Sequence, residues 1–188
     1  MQHILFLEGS PRVGNTSQVT DWVVAGLGRG VKTTRVRLME QNIHECQECF
    51  GCAKCKTGAG CQQADDMPAI YDLMIDADLV VWTSPIFCWG VSGVTKVALD
   101  RCFALLTGED LLKGAKWALV LTAGGDHYDG ADLAVQMFRR LGRYAGIENL
   151  GELVVANCPD GKKLVKDEGI RSAAQAFGRK LAKALKDE

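Results

Sequence analysis

Five of the chain's eight cysteines fall between Cys46 and Cys61, at the spacing Cys46-x2-Cys49-x2-Cys52-x2-Cys55-x5-Cys61. Thiolates drawn from one short loop surround a single soft metal centre without long-range chain closure, and four of them suit either a [4Fe–4S] cluster or tetrahedral zinc. Gly51, Gly58 and Gly60 supply the tight turns such wrapping needs. Structural zinc usually takes two separated C-x-x-C pairs. Here the steps of three run on without a break, which favours the cluster over zinc and over free or disulfide-bonded thiols. Cys46 offers a fifth sulfur at the same step, so a set of Cys46, Cys49, Cys52 and Cys55 is also compact. Cys88, Cys102 and Cys158 are scattered, and single cysteines usually behave as small apolar side chains.

Three other segments carry chemistry. Gly9-Ser10-Pro11-Arg12-Val13-Gly14-Asn15-Thr16-Ser17 follows an apolar run and opens an amphipathic one. Hydroxyls and backbone N–H groups at a helix start hold a phosphate group. Asn15 stands where a nucleotide-triphosphate loop needs lysine, so a monophosphate fits better. The plain alternative is a capped tight turn, and Arg12 either adds a charge contact or is solvated. Ser84-Pro85-Ile86-Phe87-Cys88-Trp89-Gly90 suits a flat heteroaromatic ring, although Phe87 and Trp89 are equally able to pack on a helix or a partner subunit. Thr122-Ala123-Gly124-Gly125-Asp126-His127 has paired glycines that permit close approach to a cofactor edge. His127 reads as a solvated loop residue before it reads as an acid–base group.

Two kinds of element must position these loops. Apolar runs at His3 to Leu7, Leu79 to Thr83, Trp117 to Ala123 and Gly151 to Ala156 predict strands covered on both faces, and the alternating run Thr33 to Leu38 predicts one nearer an edge. Helical spacing predicts helices over Thr16 to Leu27, Asp65 to Ile75, Ser92 to Leu106, Asp132 to Tyr144 and Ile170 to Leu185. Five strands separated by helices predict an α/β, doubly wound, five-stranded parallel sheet. The cysteine-rich loop follows its second strand as an insertion over 43–64, and the whole of 1–188 reads as one domain. In such a sheet a ligand sits outside the carboxyl ends of the strands, where strand order reverses. All three chemistry-bearing loops leave the carboxyl ends of predicted strands.

Composition narrows the function classes. The 22 basic and 23 acidic residues leave a net charge of −1, which disfavours nucleic acid or a membrane surface as the main partner. The longest uncharged stretch, Leu79 to Thr95, is 17 residues and carries Pro85, Gly90 and Gly93, so it reads as buried interior. The apolar run Ile4 to Leu7 is too short for a signal peptide, which predicts a cytoplasmic protein.

Taken together, G-S-P-R-x-x-G-N-T-S near the start, S-P-I-F-x-x-G-V-S-G-x-x-K-x-x-x-D-R from Ser84 to Arg101, and G-G-D-x-x-D-G-A-D from Gly124 to Asp132 resemble the flavodoxin-like NAD(P)H-dependent FMN reductases, and within them the iron–sulfur flavoproteins. The resemblance covers nearly the whole chain and is weakest from Asn157 onward. It implies FMN, with its phosphate on Ser10, Arg12, Asn15, Thr16 and Ser17. The isoalloxazine would lie against Pro85, Ile86, Phe87, Trp89 and Gly90, with Gly124, Gly125 and Asp126 at its edge. The spacing of the cysteines matches that branch, which implies a [4Fe–4S] cluster on Cys49, Cys52, Cys55 and Cys61 with Cys46 spare. It further implies NAD(P)H as transient donor, a small-molecule or protein redox partner as acceptor, and a homodimer or homotetramer. The flavin, rather than any catalytic side chain, carries the chemistry. A flavin or quinone reductase whose loop is empty or zinc-bound, and a thiol or metal sensor, are the rival readings.

Overall fold

Alternation along the first strand shows how the layers form. In β1 (Gln2–Glu8), Leu5 and Leu7 face one side of the sheet and Ile4 and Phe6 the other, and all four are fully buried. The computed structural model describes residues 1–55, 58–107, 110–159 and 163–186. Around β1 stand β2 (Val31–Arg37), β3 (Leu79–Phe87), β5 (Lys116–Thr122) and β6 (Glu148–Val155), all parallel, in the order β2-β1-β3-β5-β6. This is the flavodoxin-like order, reversing between β1 and β3.

The helices cover both faces. α1 (Asn15–Leu27) and α6 (Glu168–Ala184) pack Val19, Trp22, Val23, Phe177 and Leu181 against one face. α2 (Met67–Asp76), α3 (Gly93–Arg101), α4 (Phe103–Leu106) and α5 (Ala131–Ala145) cover the other. There the rings of Trp82, Trp117 and Phe138 meet edge-on or tilted at centroid separations of 5.3–6.1 Å. Among the described residues, no helix is long and apolar enough to cross a membrane.

α1 and α6 approach closely because both carry glycine at the crossing. A Cβ on Gly178 would lie 2.1 Å from the Val23 carbonyl oxygen, and one on Gly26 would lie 2.2 Å from that of Gln175. Backbone cannot yield cheaply there. Gly178→Ala is therefore expected to lower the unfolding free energy by about 1–3 kcal/mol, read as a reduced urea midpoint at unchanged slope.

Besides the last strand, which is the half-buried edge strand β6 and not covered on both faces, two details depart from the expected pattern. Among the described residues the sheet has six strands, not five: β3 runs on to Phe87, turns at Cys88 and Trp89, and pairs antiparallel with the short β4 (Gly90–Val91). Both turn residues have positive φ, +47° and +61°, as a two-residue hairpin requires. Neither is the glycine or asparagine that announces such a turn in a sequence. Second, the helix expected over Ser92 to Leu106 breaks at Cys102, whose N–H is shared between the Ala98 and Leu99 carbonyls.

Candidate functional site

The reversal between β1 and β3 opens a cavity of about 210 Å³ above the carboxyl ends of β1, β3 and β5. One wall is the loop after β1, contributing Ser10, Pro11, Arg12, Asn15 and Thr16. Facing it are Pro85, Ile86 and Phe87 from the end of β3, and Thr122, Ala123 and Gly124 from the end of β5. Cys158 and Pro159, after β6, close the side.

The helix start in this wall is open to an anion. Gly14 occupies the N-cap of α1 and no side chain caps the first turn, which also carries no acidic residue. The leading N–H groups of a helix have no partner within it and sit at its positive end. The neighbouring hydroxyls tie the loop into shape: Ser10 Oγ donates to the Arg12 carbonyl at 2.7 Å, and the Thr16 and Thr122 hydroxyls pair at 2.7 Å. Asn15 donates through Nδ2 to the Pro159 carbonyl at 2.7 Å, and its buried Oδ1 has no partner among the described residues.

Close packing holds this loop against α3. A Cβ on Gly9 would fall 1.7 Å from Thr95 Oγ1, so only glycine admits that helix. Ser92 caps α3 and donates to the Gly9 carbonyl at 2.6 Å, while its own N–H donates to Ser84 Oγ at 3.0 Å. The loops after β1 and β3 therefore share one hydrogen-bonded support.

Of the residues expected around a mononucleotide, Ser10, Arg12, Asn15, Thr16, Pro85, Ile86, Phe87 and Gly124 line the cavity. Others do not. The Ser17 hydroxyl turns back to the Arg12 carbonyl at 3.5 Å, and Gly90 lies in β4. Trp89 is 65% exposed, with its backbone against Gly130. Gly125 packs on Asp129, and the Asp126 carboxylate accepts from the Tyr128 N–H. His127 is exposed. Sequence reasoning missed Pro11, Thr122, Ala123, Cys158 and Pro159; the first three stand in quoted loops, whereas Cys158 and Pro159 carry no motif. Burial raises the pKa of the Cys158 thiol, while Cys88, expected to fill space, is exposed at the hairpin tip.

A second cavity of about 430 Å³ lies between the cysteine-rich segment and the α3–α4 junction. The segment runs between a short turn at Leu38–Glu40 and α2, with one 3-10 turn at Cys52–Lys54; residues 56 and 57 lie outside the described residues. Cys46, Cys49, Cys52 and Cys61 line the cavity. Cys55 is not among the lining residues; a Cβ on Gly60 would come within 2.2 Å of the Cys55 Cβ. Among the described residues, no three His, Cys, Asp or Glu side chains converge to hold a metal ion. The four expected ligands thus share a loop but not a common centre, and Cys46, expected to be spare, faces the cavity with three of them. An all-sulfur donor set at one hollow still suits a soft metal group rather than a hard cation.

Arg101 stands in the wall of this cavity and pairs with Asp65, which is not among the lining residues; the two side chains are 1% and 0% exposed. Burial works against the Asp65 charge, but the Arg101 guanidinium and the His44 and Met67 backbone N–H groups outweigh it and hold its pKa at about 2. Burial opposes the Arg101 charge too, and its bonds to Asp65 and Cys61 raise its pKa nonetheless.

Comparison with known proteins shows the family. The family model described as NADPH-dependent FMN reductase matches residues 2–159. An iron-sulfur flavoprotein of Archaeoglobus fulgidus is 34% identical over 135 residues, 71% of this chain and 67% of that protein. Another from the same organism is 29% identical over 182 residues, 96% of this chain and 79% of the other. The chain thus spans about two thirds of the first relative's length. Among solved structures, the NAD(P)H:quinone oxidoreductase from Methanothermobacter marburgensis superposes with a TM-score of 0.73 at 19% identity, covering 96% of each chain, a likeness of fold. The chain belongs to the NADPH-dependent FMN reductase family, on the branch of the iron-sulfur flavoproteins, and is a flavin oxidoreductase.

Proposed function

We propose that the chain is an electron-transfer flavoprotein that takes electrons from NAD(P)H onto FMN and passes them through a [4Fe–4S] cluster to a small-molecule or protein acceptor. The observation that carries this reading is the open cavity at the β1/β3 reversal, walled by an uncapped helix start. When bound, FMN accepts a hydride and releases electrons singly, and an iron–sulfur cluster carries one at a time.

The chain's own residues would do the rest. The first-turn N–H groups of α1, with Ser10, Asn15 and Thr16, would hold the phosphate. Pro85, Ile86 and Phe87 would supply one apolar edge for the ring, and Gly124, with nothing within 4 Å of its would-be Cβ, leaves room at the other. Cys49, Cys52, Cys55 and Cys61 would hold the cluster. Phe87, Trp89 and Tyr128 expose large rings near the site, which supports pairing of copies as a homodimer or homotetramer.

The test is anaerobic purification followed by an absorbance spectrum and iron and acid-labile sulfide analysis. Expected are flavin bands bleached by NAD(P)H, FMN released on denaturation, and iron and sulfide in equal amounts. A colourless protein that cannot be reconstituted with FMN defeats the flavin reading. A yellow protein with under one iron per chain supports instead an FMN or quinone reductase with an empty or zinc-bound loop.

A further inference from the structure

Arg101 is 2% exposed, yet it ends a helix beside a cavity lined with cysteines. Its Nη1 donates to the His44 carbonyl at 2.7 Å and to Asp65 Oδ2. Its Nη2 donates to Asp65 Oδ1 at 3.0 Å and to Cys61 Sγ at 3.3 Å. The buried Nε has no partner among the described residues. His44 precedes the first cysteine of the loop and Asp65 follows the last, so one guanidinium clasps both stems of the segment. The stems also bond each other: His44 N–H to Asp65 Oδ2 at 3.0 Å, and Asn42 N–H to Asp66 Oδ2 at 2.7 Å. Tyr71 pins the arginine's backbone by donating to its carbonyl at 2.9 Å.

α3 links this clasp to the other cavity. Its cap, Ser92, bonds the Gly9 carbonyl beside the phosphate loop, and its last residue is Arg101. Nine residues of helix make a rigid strut about 13 Å long. The carboxyl end of a helix is electronegative and would repel an anionic sulfur group, a penalty a guanidinium placed there offsets.

We propose that Arg101 is the positioning residue of the cysteine site. Its two Nη groups close the loop on α3, and the Nη2 N–H donates to the Cys61 sulfur, withdrawing electron density from that ligand and favouring the reduced form of the group it holds. This rests on the cluster reading above. Lysine cannot replace it fully, because an ammonium lacks the planar fork that serves Asp65 and Cys61 together.

The test compares the wild type with Asp65→Asn/Arg101→Gln, which removes both buried charges at once, and with Arg101→Lys. Each protein is reconstituted anaerobically with iron and sulfide, then assayed for FMN content, iron and sulfide, and the cluster's midpoint potential by EPR-monitored titration. In the double variant we expect FMN retained and the reduced-to-oxidised ratio of the cluster lowered about tenfold at fixed potential, a downward shift of about 59 mV for one electron. Loss of iron with FMN and thermal midpoint retained also supports the proposal. If the double variant does not fold, the lysine variant carries the test, with a smaller shift in the same direction. Wild-type potential and EPR spectrum in whichever variant folds overturn the proposal while leaving the cluster reading intact. A wild type that takes up no iron overturns both, and does so before any variant is made.

Discussion

Asp65→Ala is expected to lower the thermal midpoint by about 6–12 °C, with the Arg101 guanidinium left buried and unpaired. The side chains of the pair are 0% and 1% exposed, and removing one partner of a buried pair costs about 3 kcal/mol or more. For a chain of 188 residues each kcal/mol moves the midpoint by about 2–4 °C. The pH dependence has a definite sign. The Asp65 pKa falls from its ordinary 3.8 to about 2 in the fold. The stabilisation is therefore fully present above pH 3.8 and is lost as pH falls through 2. Urea unfolding of wild type and Asp65→Asn should differ most above pH 4 and converge towards pH 2. A difference that stays constant across that range would show that the carboxylate is not what the pocket stabilises.

Asn15→Asp should separate the stability of the chain from its grip on FMN. The substitution puts a negative charge into the first turn of α1, which holds none, and helix ends of that polarity gain about 0.3–1 kcal/mol from it. The hydrogen bond that the Asn15 side-chain N–H donates to the Pro159 carbonyl is lost in exchange, so the thermal midpoint of the FMN-free protein should move little. A phosphate brought to the same N–H groups meets a like charge, a penalty of several kcal/mol. FMN affinity should fall about 100-fold, the equivalent of about 2.8 kcal/mol, read by quenching of flavin fluorescence. Unchanged affinity would place the phosphate away from α1. A collapse of stability would mean that Asn15 is a structural brace.

How much of this was readable from the sequence varies by residue. β1 was readable because Ile4 to Leu7 is apolar on both faces, and α5 because Val135, Phe138 and Leu141 recur at helical spacing, although Leu133, read with them, is exposed. The hairpin at Cys88 and Trp89 was not, since side chains rarely accept positive φ and nothing local signals that these two do. Arg101 stood in a quoted motif without a role, although a signal existed. It follows Val94 and Ala98 and precedes Leu105 on one helical face, so a lone cation interrupts a buried stripe.

By itself, the sequence determined the alternation of strand and helix, the loops that leave the strand ends, and a run of sulfurs on one segment. Each follows from which side chains avoid water and from spacing along a few neighbouring residues. Only the tertiary structure decided that Gly9 must admit Thr95, that Cys158 and Pro159 close the first cavity, that Cys46 joins Cys49, Cys52 and Cys61 at the second, and that Arg101 reaches Cys61. Those meetings depend on the order of strands in the sheet and on how closely backbones pass. Both are settled by packing between residues far apart in the chain, which no local spacing encodes.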